Sequence, residues 1–380
     1  MASIRYKRRK TKRGWVWGYE IRQGDKTVAS KSGYDTKKAA EIDGLPLVRD
    51  FKTGLTLDNK TDLPTLYEQW YDLKVVNSGR SEETLRKYRY FGRLIDENFT
   101  DIPVSSIKPS EYQRKINELG VIEKISYNTL IRVNSVIRQT LEMIIADGFF
   151  VKDFTKNVVI QSSYKEQQPE EKYIHSLEEY NQIIDYLKEN MDFRKTSLLH
   201  IIYFLFRTGF RYGELIGLTS KELDLENGFI FTRRRYNANI NKFVPSKTEA
   251  SIRRIPISQT DTDILKKMLQ QQKQICEALN FDNEFDMVFF HPMFEYGVPH
   301  STETNYAIKK MLKTLKIEPI ISSKGARHTV GSVLLAQGFS LDYVANFLGH
   351  KDISMITRVY GHSIDENMSY QTNKLKELFD

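Results

Sequence analysis

The second half of the chain carries a series of basic side chains that ends on a tyrosine. Arg211 lies at a turn that enters a short predicted helix, and Lys247 lies in a predicted hairpin loop. Arg327 and His350 follow, and Tyr360 closes the series. Guanidinium and ammonium groups bind phosphate oxygens, and a tyrosine hydroxyl is a nucleophile when its surroundings activate it. These residue types point to chemistry at a phosphate group.

Other common catalytic arrangements are missing from the sequence. It contains no Gly-rich phosphate loop ending in Gly-Lys-Ser/Thr, no Gly-x-Ser-x-Gly motif and no Cys/His spacing suited to zinc. No two histidines are four residues apart, and no cluster of carboxylates that would hold magnesium is evident. The sequence therefore favours metal-free chemistry, although carboxylates can converge from distant positions.

Five short motifs surround the basic residues and the tyrosine. They are Thr-Gly-Phe-Arg-Tyr-Gly-Glu at 208–214, Ser-Lys-Thr at 246–248, Lys-Gly-Ala-Arg-His-Thr at 324–329, Leu-Gly-His at 348–350 and Thr-Arg-Val-Tyr at 357–360. Each motif is weak alone, but their order across about 150 residues resembles the tyrosine recombinase family, the phage and conjugative-transposon integrases in particular. The resemblance covers residues 175–365 in motif detail.

The resemblance implies a reaction at a DNA phosphodiester. Tyr360 would attack the phosphorus, leaving a 3′-phosphotyrosine and a free 5′-hydroxyl. Arg211 and Arg327 would each clamp non-bridging oxygens with two hydrogen bonds, and His350 would hydrogen-bond the phosphate. Lys247 would protonate the departing 5′-oxygen. Because the phosphotyrosine ester keeps the bond energy, rejoining needs neither ATP nor a metal ion, so no cofactor is expected.

One position departs from the family pattern. Lys324 stands where many relatives have a histidine, three residues before the second arginine, and the family's general base is often assigned there. Three interpretations stay open: a neutral Lys324 as base, Lys324 as another phosphate-binding cation, or His328 sharing the task. A lysine beside a phosphate should stay protonated, which favours the cationic role. Glu214 is expected to orient Arg211, and His328 either supports the site or takes part directly.

Positive charge is concentrated at the start of the chain. The 380 residues carry a net charge of +8, and residues 1–40 hold twelve Lys and Arg against three Asp and Glu, so the rest is close to neutral. Such a cluster favours a polyanion, although a solubilising or targeting tail is the alternative. The expected DNA-contact residues are Arg5, Lys7, Arg8, Arg9, Lys10, Lys12, Arg13, Trp15 and Trp17, with Arg86 and Arg132 further along.

Hydrophobic patterns predict an α+β chain that is mainly α-helical. Alternation over residues 15–22, a turn at 24–25 and a second apolar stretch predict a hairpin, extended by a strand near 3–9 and covered by a helix from residue 36. Helical periodicity follows, then a polar connection at 162–173. With the resemblance, this gives a three-stranded arm-type DNA-binding domain at 1–55, a helical core-binding bundle at 62–160 and a mixed, mostly helical catalytic domain with a C-terminal tail at 174–380.

Within the last domain, the pattern predicts helices near 198–206, 262–279, 302–315, 331–337 and 341–348, with strands near 228–234 and 252–257. After Tyr360, four apolar residues have helix-like spacing and could dock on a neighbouring protomer: Ile364, Met368, Leu375 and Leu378. Because exchange between two duplexes uses four tyrosines, the resemblance implies a homotetramer on double-stranded DNA attachment sites. It also implies two further partners, a small excision factor (excisionase) and a host DNA-bending protein.

The composition of the chain indicates its cellular compartment. No run approaches the roughly 18 apolar residues of a membrane span, and the single cysteine, Cys276, fits a reducing compartment. We therefore expect a protein of the bacterial cytoplasm that acts at the nucleoid. Two alternative functions stay open: a topoisomerase of the same chemistry, and a DNA-binding regulator whose basic residues only hold phosphates.

Overall fold

The computed structural model describes residues 2–11, 14–23, 26–53, 60–149, 151–246 and 248–350. The predicted residues Lys12, Arg13, Lys247 and Tyr360, and the C-terminal tail, lie outside the described residues. The chain divides into two compact units, residues 1–166 and 167–380. The division falls within the polar stretch 162–173.

The chain begins with an antiparallel sheet of three strands: β1 (Ala2–Thr11), β2 (Gly14–Gln23) and β3 (Lys26–Tyr34), in that order. Helix α1 (Lys37–Thr53) packs on one face, where Tyr19, Ile21, Ala40 and Val48 are buried. Alternate side chains of a strand point to opposite faces of the sheet. Because Tyr19 and Ile21 of β2 face α1, the alternate residues of β2 face the other side, which we call the open face. The predicted three-stranded sheet with its helix is confirmed.

A helical bundle follows in the same unit. Its helices are α2 (Leu63–Tyr71), α3 (Glu82–Phe99), α4 (Pro109–Asn117) and α5 (Tyr127–Ala146); α2 and α4 continue as the π-helical turns Asp72–Val76 and Glu118–Ile122. The side chain of Asp62 accepts a hydrogen bond from the Thr65 amide at 3.1 Å, and Ser126 accepts one from the Thr129 amide at 3.3 Å. Such side-chain caps satisfy amides that a helix start leaves without a partner.

The second unit surrounds one apolar helix. Its elements are α6 (Leu177–Asn190), α7 (Leu198–Thr208), α8 (Tyr212–Ile216), β4 (Leu223–Asp224), β5 (Phe229–Thr232), β6 (Arg234–Asn237), β7 (Lys242–Pro245), β8 (Arg253–Pro256), α9 (Gln259–Leu279), α10 (Ser301–Leu315), α11 (Ser323–Ala336) and α12 (Leu341–Leu348). Helix α7 is apolar on every side, and its side chains from Ile201 to Phe206 are fully buried or nearly so. A helix that is hydrophobic all round has to lie at the centre of a domain.

Two elements of this unit differ from the sequence-based expectation. Strands β5 and β8 pair with each other as expected, but the excursion between them contains a further hairpin of β6 and β7. Helix α11 begins at Ser323, eight residues before the expected start, so it carries Lys324, Arg327 and His328. No helix among the described residues is long and apolar enough to cross a membrane.

Candidate active site

The turn between α7 and α8 positions Arg211. Gly209 ends α7 in the left-handed region at φ 61°, which favours glycine, and a Cβ there would meet Leu348 Cδ2 at 2.7 Å. Two residues later Arg211 has extended backbone and precedes the first turn of α8. Its backbone amide donates to Glu214 Oε2 at 3.1 Å. The glycine requirement explains why the motif puts Arg211 at a sharp turn.

The Arg211 guanidinium is held by three neighbours and stays accessible. Its Nη1 donates to Glu214 Oε1 at 2.7 Å and to Ser251 Oγ at 3.0 Å, and its Nη2 donates to the Gly349 carbonyl at 3.3 Å. The side chain keeps 35% exposure. These bonds fix the orientation of the planar group while one side remains open to a ligand.

Helix α11 brings Arg327 to the same place. Arg327 is buried, and its Nη1 donates to the Gly209 carbonyl at 2.8 Å while its Nη2 donates to the Leu348 carbonyl. The same Nη2 lies 3.2 Å from His350 Nε2. Arg211 and Arg327, which are 116 positions apart in the chain, therefore both contact the segment 348–350.

His350 sits among these cations as a neutral group. Burial, and then the charges of Arg327 and Arg211, lower the pKa of His350 to about 4. A neutral imidazole carries one donor and one acceptor nitrogen, and an arginine can only donate. His350 Nε2 is therefore the acceptor toward Arg327, which leaves the proton on Nδ1.

Arg253, on β8, is a residue of this site that no sequence motif indicated. It is 9% exposed, its Nη1 and Nη2 donate to Glu214 Oε2 at 3.3 Å each, and its Nε donates to the Phe347 carbonyl at 2.7 Å. Three successive carbonyls, those of residues 347, 348 and 349, thus accept from three different arginines.

Glu214 is the carboxylate that joins two of these arginines. Its side chain is 3% exposed; burial raises the pKa of Glu214, but the charges of Arg253 and Arg211 outweigh burial and hold the pKa below its ordinary value. A buried carboxylate between two guanidinium groups is ionised and orients both. The expected orienting role of Glu214 toward Arg211 thus has a geometric basis.

We expect Arg253→Met to lower the free energy of unfolding by about 3 kcal/mol, because it leaves the buried Glu214 carboxylate with one partner in place of two. Chemical denaturation measures the loss. The matched control is Arg254→Met: Arg254 is the next residue, is exposed and pairs with Asp224 at 2.9 Å. Equal stability changes in the two variants would count against a bridging role for Arg253.

Lys324 and His328 lie in the first two turns of α11. Lys324 is exposed, and among the described residues the hydrogen bonds of Arg211 and His350 do not involve it. His328 is 9% exposed; burial, and then the charges of Lys324 and Arg327, lower the pKa of His328 to about 4. The positive charges of both Lys324 and Arg327 therefore act on His328.

Buried histidines make the stability of this unit pH-dependent. Burial also lowers the pKa of His200, which is 5% exposed, to about 4. Between pH 6.5 and 4 the unfolded chain binds a proton that folded His200 does not. The free energy of unfolding therefore falls as the pH falls through that window, and above the window the contribution of neutral His200 is fully present.

We expect His200→Gln to reduce the slope of unfolding free energy against pH, measured from pH 7 to 5, by about 1 kcal/mol per unit. Exposed His300, replaced by Gln, should leave the slope unchanged; a slope unchanged in both variants would contradict the expectation.

The residue that follows Lys247 connects to the same cluster. Thr248, which follows Lys247, lies 3.1 Å from Ser251 through their hydroxyl oxygens, and Ser251 accepts from Arg211. The described chain ends at His350, ten residues before Tyr360. The structure thus brings together Arg211, Arg327 and His350 with Glu214, while the roles of Lys247 and Tyr360 stay predictions.

A comparison with known protein families decides the identity. Residues 175–367 match the model of the phage integrase family. The chain belongs to the phage integrase family. It is a tyrosine recombinase, as its motifs indicated.

Named relatives agree with this membership, and solved structures have a similar fold. The chain is 27% identical over 373 residues, 90% of each protein, to a tyrosine recombinase XerC-like protein of Caldanaerobacter subterraneus subsp. tengcongensis. It is 24% identical to the integrase of Staphylococcus phage L54a, over 82% of this chain and 92% of that one. The fold is similar to that of the Tn1549 transposon integrase in complex with transposon right end DNA, with a TM-score of 0.65 at 18% identity over 83% of this chain and all of that one. It is also similar to lambda integrase in a tetramer bound to a Holliday junction, with a TM-score of 0.56 at 14% identity over 91% and 95%.

In this phage integrase family protein, the N-terminal sheet divides its basic residues between two faces. Arg5, Lys7 and Arg9 lie opposite Glu20, Gly18 and Val16 and point away from α1. Lys7 forms an ion pair with Glu20. The open face thus carries three exposed cations, one of which is paired with a carboxylate.

On the other face, Arg8 lies over the rings of Trp15 and Trp17, at 5.1 and 5.9 Å from their centres. Lys10 lies opposite Trp15. The two tryptophans therefore support the Arg8 side chain, since a guanidinium over an aromatic face is attracted to it.

Arg86 and Arg132 are exposed on the bundle helices α3 and α5. Other cations of these helices have partners within the bundle: Arg89 pairs with Glu82, and Arg138 Nε donates to Thr155 Oγ1 at 3.2 Å. The two expected DNA-contact residues of the bundle, Arg86 and Arg132, thus present their charges to solvent.

Proposed function

We propose that the chain cuts and rejoins DNA strands at attachment sites through a 3′-phosphotyrosine at Tyr360, and so integrates or excises a mobile element or prophage. The convergence of Arg211, Arg327 and His350 on segment 348–350, which leads towards Tyr360 in the chain, carries the proposal. Two guanidinium groups and a neutral imidazole can receive the non-bridging oxygens of one phosphate.

Each cleavage exchanges one ester bond to phosphorus for another. The Tyr360 oxygen forms a bond to phosphorus as the bond from phosphorus to the 5′-oxygen breaks, and the 3′ side stays attached to the tyrosine. Lys247 gives its proton to the departing 5′-oxygen, and the phenol proton leaves to a base or to solvent. Rejoining reverses these steps with the 5′-hydroxyl of a partner strand, so we propose that neither ATP nor a metal ion takes part. Among the described residues, no group of three His, Cys, Asp or Glu side chains is placed to hold a metal.

We propose the three-domain assignment for the DNA contacts. Residues 1–55 would bind arm-type sites through the open face of the sheet, residues 62–160 would hold the core site, and residues 174–380 would cut. Four protomers would assemble on two double-stranded attachment sites in the bacterial cytoplasm, at the nucleoid. A small excision factor and a host DNA-bending protein would act with them, and the C-terminal tail would dock on a neighbouring protomer.

Two DNA assays test the proposal. A nicked attachment-site duplex should trap the chain covalently on the 3′ side of the cut, and two sites on one plasmid should exchange flanking DNA. Relaxation of a plasmid without exchange would indicate a topoisomerase. Site binding without any covalent product would indicate a regulator that only holds phosphates.

A further inference from the structure

A pocket of roughly 340 Å³ lies in the second unit, at the start of α7. Lys188 at the end of α6, His200 on α7 and Lys267 on α9 line it, together with residues of the loop that joins α6 to α7. We call it the α7 pocket. Its volume is at the lower end of the range for small-molecule sites, so its size suits a small ligand.

The α7 pocket and the candidate active site lie at opposite ends of α7. His200 is the third residue of the helix and lines the pocket. Gly209 ends the helix, and its carbonyl accepts from Arg327 at 2.8 Å. At 1.5 Å of rise per residue, the nine steps from His200 to Gly209 correspond to about 13 Å. A ligand in the α7 pocket would therefore occupy a place distinct from the cleaved phosphate.

Positive charge exceeds negative charge on the wall of the α7 pocket. Arg194 and Asp192 balance each other, because the Arg194 Nε and Nη2 donate to the two carboxylate oxygens of Asp192 at 3.0 and 3.2 Å. Lys267 forms no ion pair with a described residue, and Lys188 has only a surface pair with Asp185 at 4.0 Å. Two ammonium groups thus leave an excess of positive charge in a concave site, which favours an anion.

His200 is the buried polar group of this wall. It is 5% exposed, its ring packs edge-on against Phe193 with 5.4 Å between the ring centres, and its Nδ1 has no hydrogen-bond partner among the described residues. Most buried polar side-chain atoms have a partner, and a buried nitrogen without one costs free energy. A ligand group that hydrogen-bonds the imidazole would offset this cost.

Apolar surface and an amide complete the wall. Met191 and Ile264 are partly buried there, and Gln271 adds a group that can donate and accept hydrogen bonds. A bare inorganic ion would leave this surface without contacts, whereas an organic group attached to the anion would cover it.

We propose that the α7 pocket binds a small phosphate ester of about the size of a mononucleotide. A phosphate monoester carries close to two negative charges at neutral pH, which matches the two ammonium groups of Lys188 and Lys267. Its organic part lies against Met191 and Ile264. No step of the proposed strand exchange uses this site, so the inference goes beyond the proposed function.

Calorimetric titration of the full-length chain with adenosine 5′-monophosphate tests the pocket. The nucleotide should bind with a Kd of about 1 mM or tighter, and adenosine, which lacks the phosphate, should not bind. Lys188→Gln and Lys267→Gln should each weaken nucleotide binding about 10-fold, because each removes a charged hydrogen-bond donor. The matched control is Lys266→Gln, since Lys266 is exposed, adjoins Lys267 and does not line the pocket. No saturable binding of the nucleotide, or an equal loss in Lys266→Gln, would overturn the inference.

Further titrations separate the α7 pocket from the other phosphate sites of the chain. Arg211→Lys should bind the nucleotide as the unmodified protein does; a loss there, with none in Lys267→Gln, would place the nucleotide at the candidate active site and overturn the inference. Saturating attachment-site DNA should leave nucleotide affinity unchanged. DNA that displaces the nucleotide would assign the pocket to the DNA backbone, and inorganic phosphate that binds as tightly as the nucleotide would rule out recognition of an ester.

Discussion

The Tyr360→Phe protein is expected to bind attachment-site DNA with unchanged affinity and to form no covalent product with it. Phenylalanine keeps the ring and loses the only atom that would attack the phosphorus. Recombination should fall by about 10⁴-fold or more, since the remaining phosphate-binding groups have no nucleophile to act on. Gel separation of protein–DNA adducts on a nicked site measures the effect.

A second tyrosine serves as the control for this change. Tyr306 is an exposed residue of α10, and Tyr306→Phe should leave adduct formation as it is. Adducts that persist in Tyr360→Phe would show that another residue attacks the DNA. Tyr360 would then lose its assigned role, even though the family membership would stand.

The Arg211→Lys protein is expected to cleave a nicked site about 10²- to 10³-fold more slowly at saturating DNA. Lysine keeps the charge and can still pair with Glu214, but it lacks the planar fork that gives two parallel hydrogen bonds to a phosphate. The fold should tolerate the change, because Glu214 also pairs with Arg253 and the Arg211 side chain is partly exposed.

Single-turnover cleavage separates this effect from weaker binding. The matched control is Arg194→Lys, since Arg194 is exposed and pairs with its near neighbour Asp192. A variant that cleaves at the normal rate once saturated would show that Arg211 contributes to binding and not to the transition state. An equal loss in the control would point to a general effect of replacing arginine.

Sequence patterns predicted the sheet and most helices because their side chains alternate or repeat with the right period. The start of α11 was missed because residues 323–328, which include Gly325, show no apolar periodicity. The structure needs that glycine: a Cβ would lie 2.5 Å from Ile321 Cβ and 2.7 Å from the Lys172 carbonyl. Packing between distant segments imposed this residue, and a local pattern contains no such information.

Arg253 was missed although a signal for it exists. Arg253 and Arg254 look alike in sequence, but the apolar Ile255 predicts the inward face of the strand, and residues two apart on a strand share a face. Arg253 therefore faces inward with Ile255, while Arg254 faces solvent. The motif series identified Arg211, Arg327 and His350, but the carboxylate and main-chain contacts that hold them depend on tertiary structure.

The three carbonyls of residues 347–349 have a consequence for how the site tolerates mutation. Side-chain substitution at positions 347–349 cannot remove these main-chain oxygen atoms. The orientation of Arg211, Arg253 and Arg327 therefore tolerates such substitutions as long as the backbone keeps its path. The same arrangement ties all three guanidinium groups to one short piece of main chain. A displacement of that piece would move the hydrogen-bond acceptors of all three guanidinium groups together, so the orientation of the three arginines depends on one stretch of backbone.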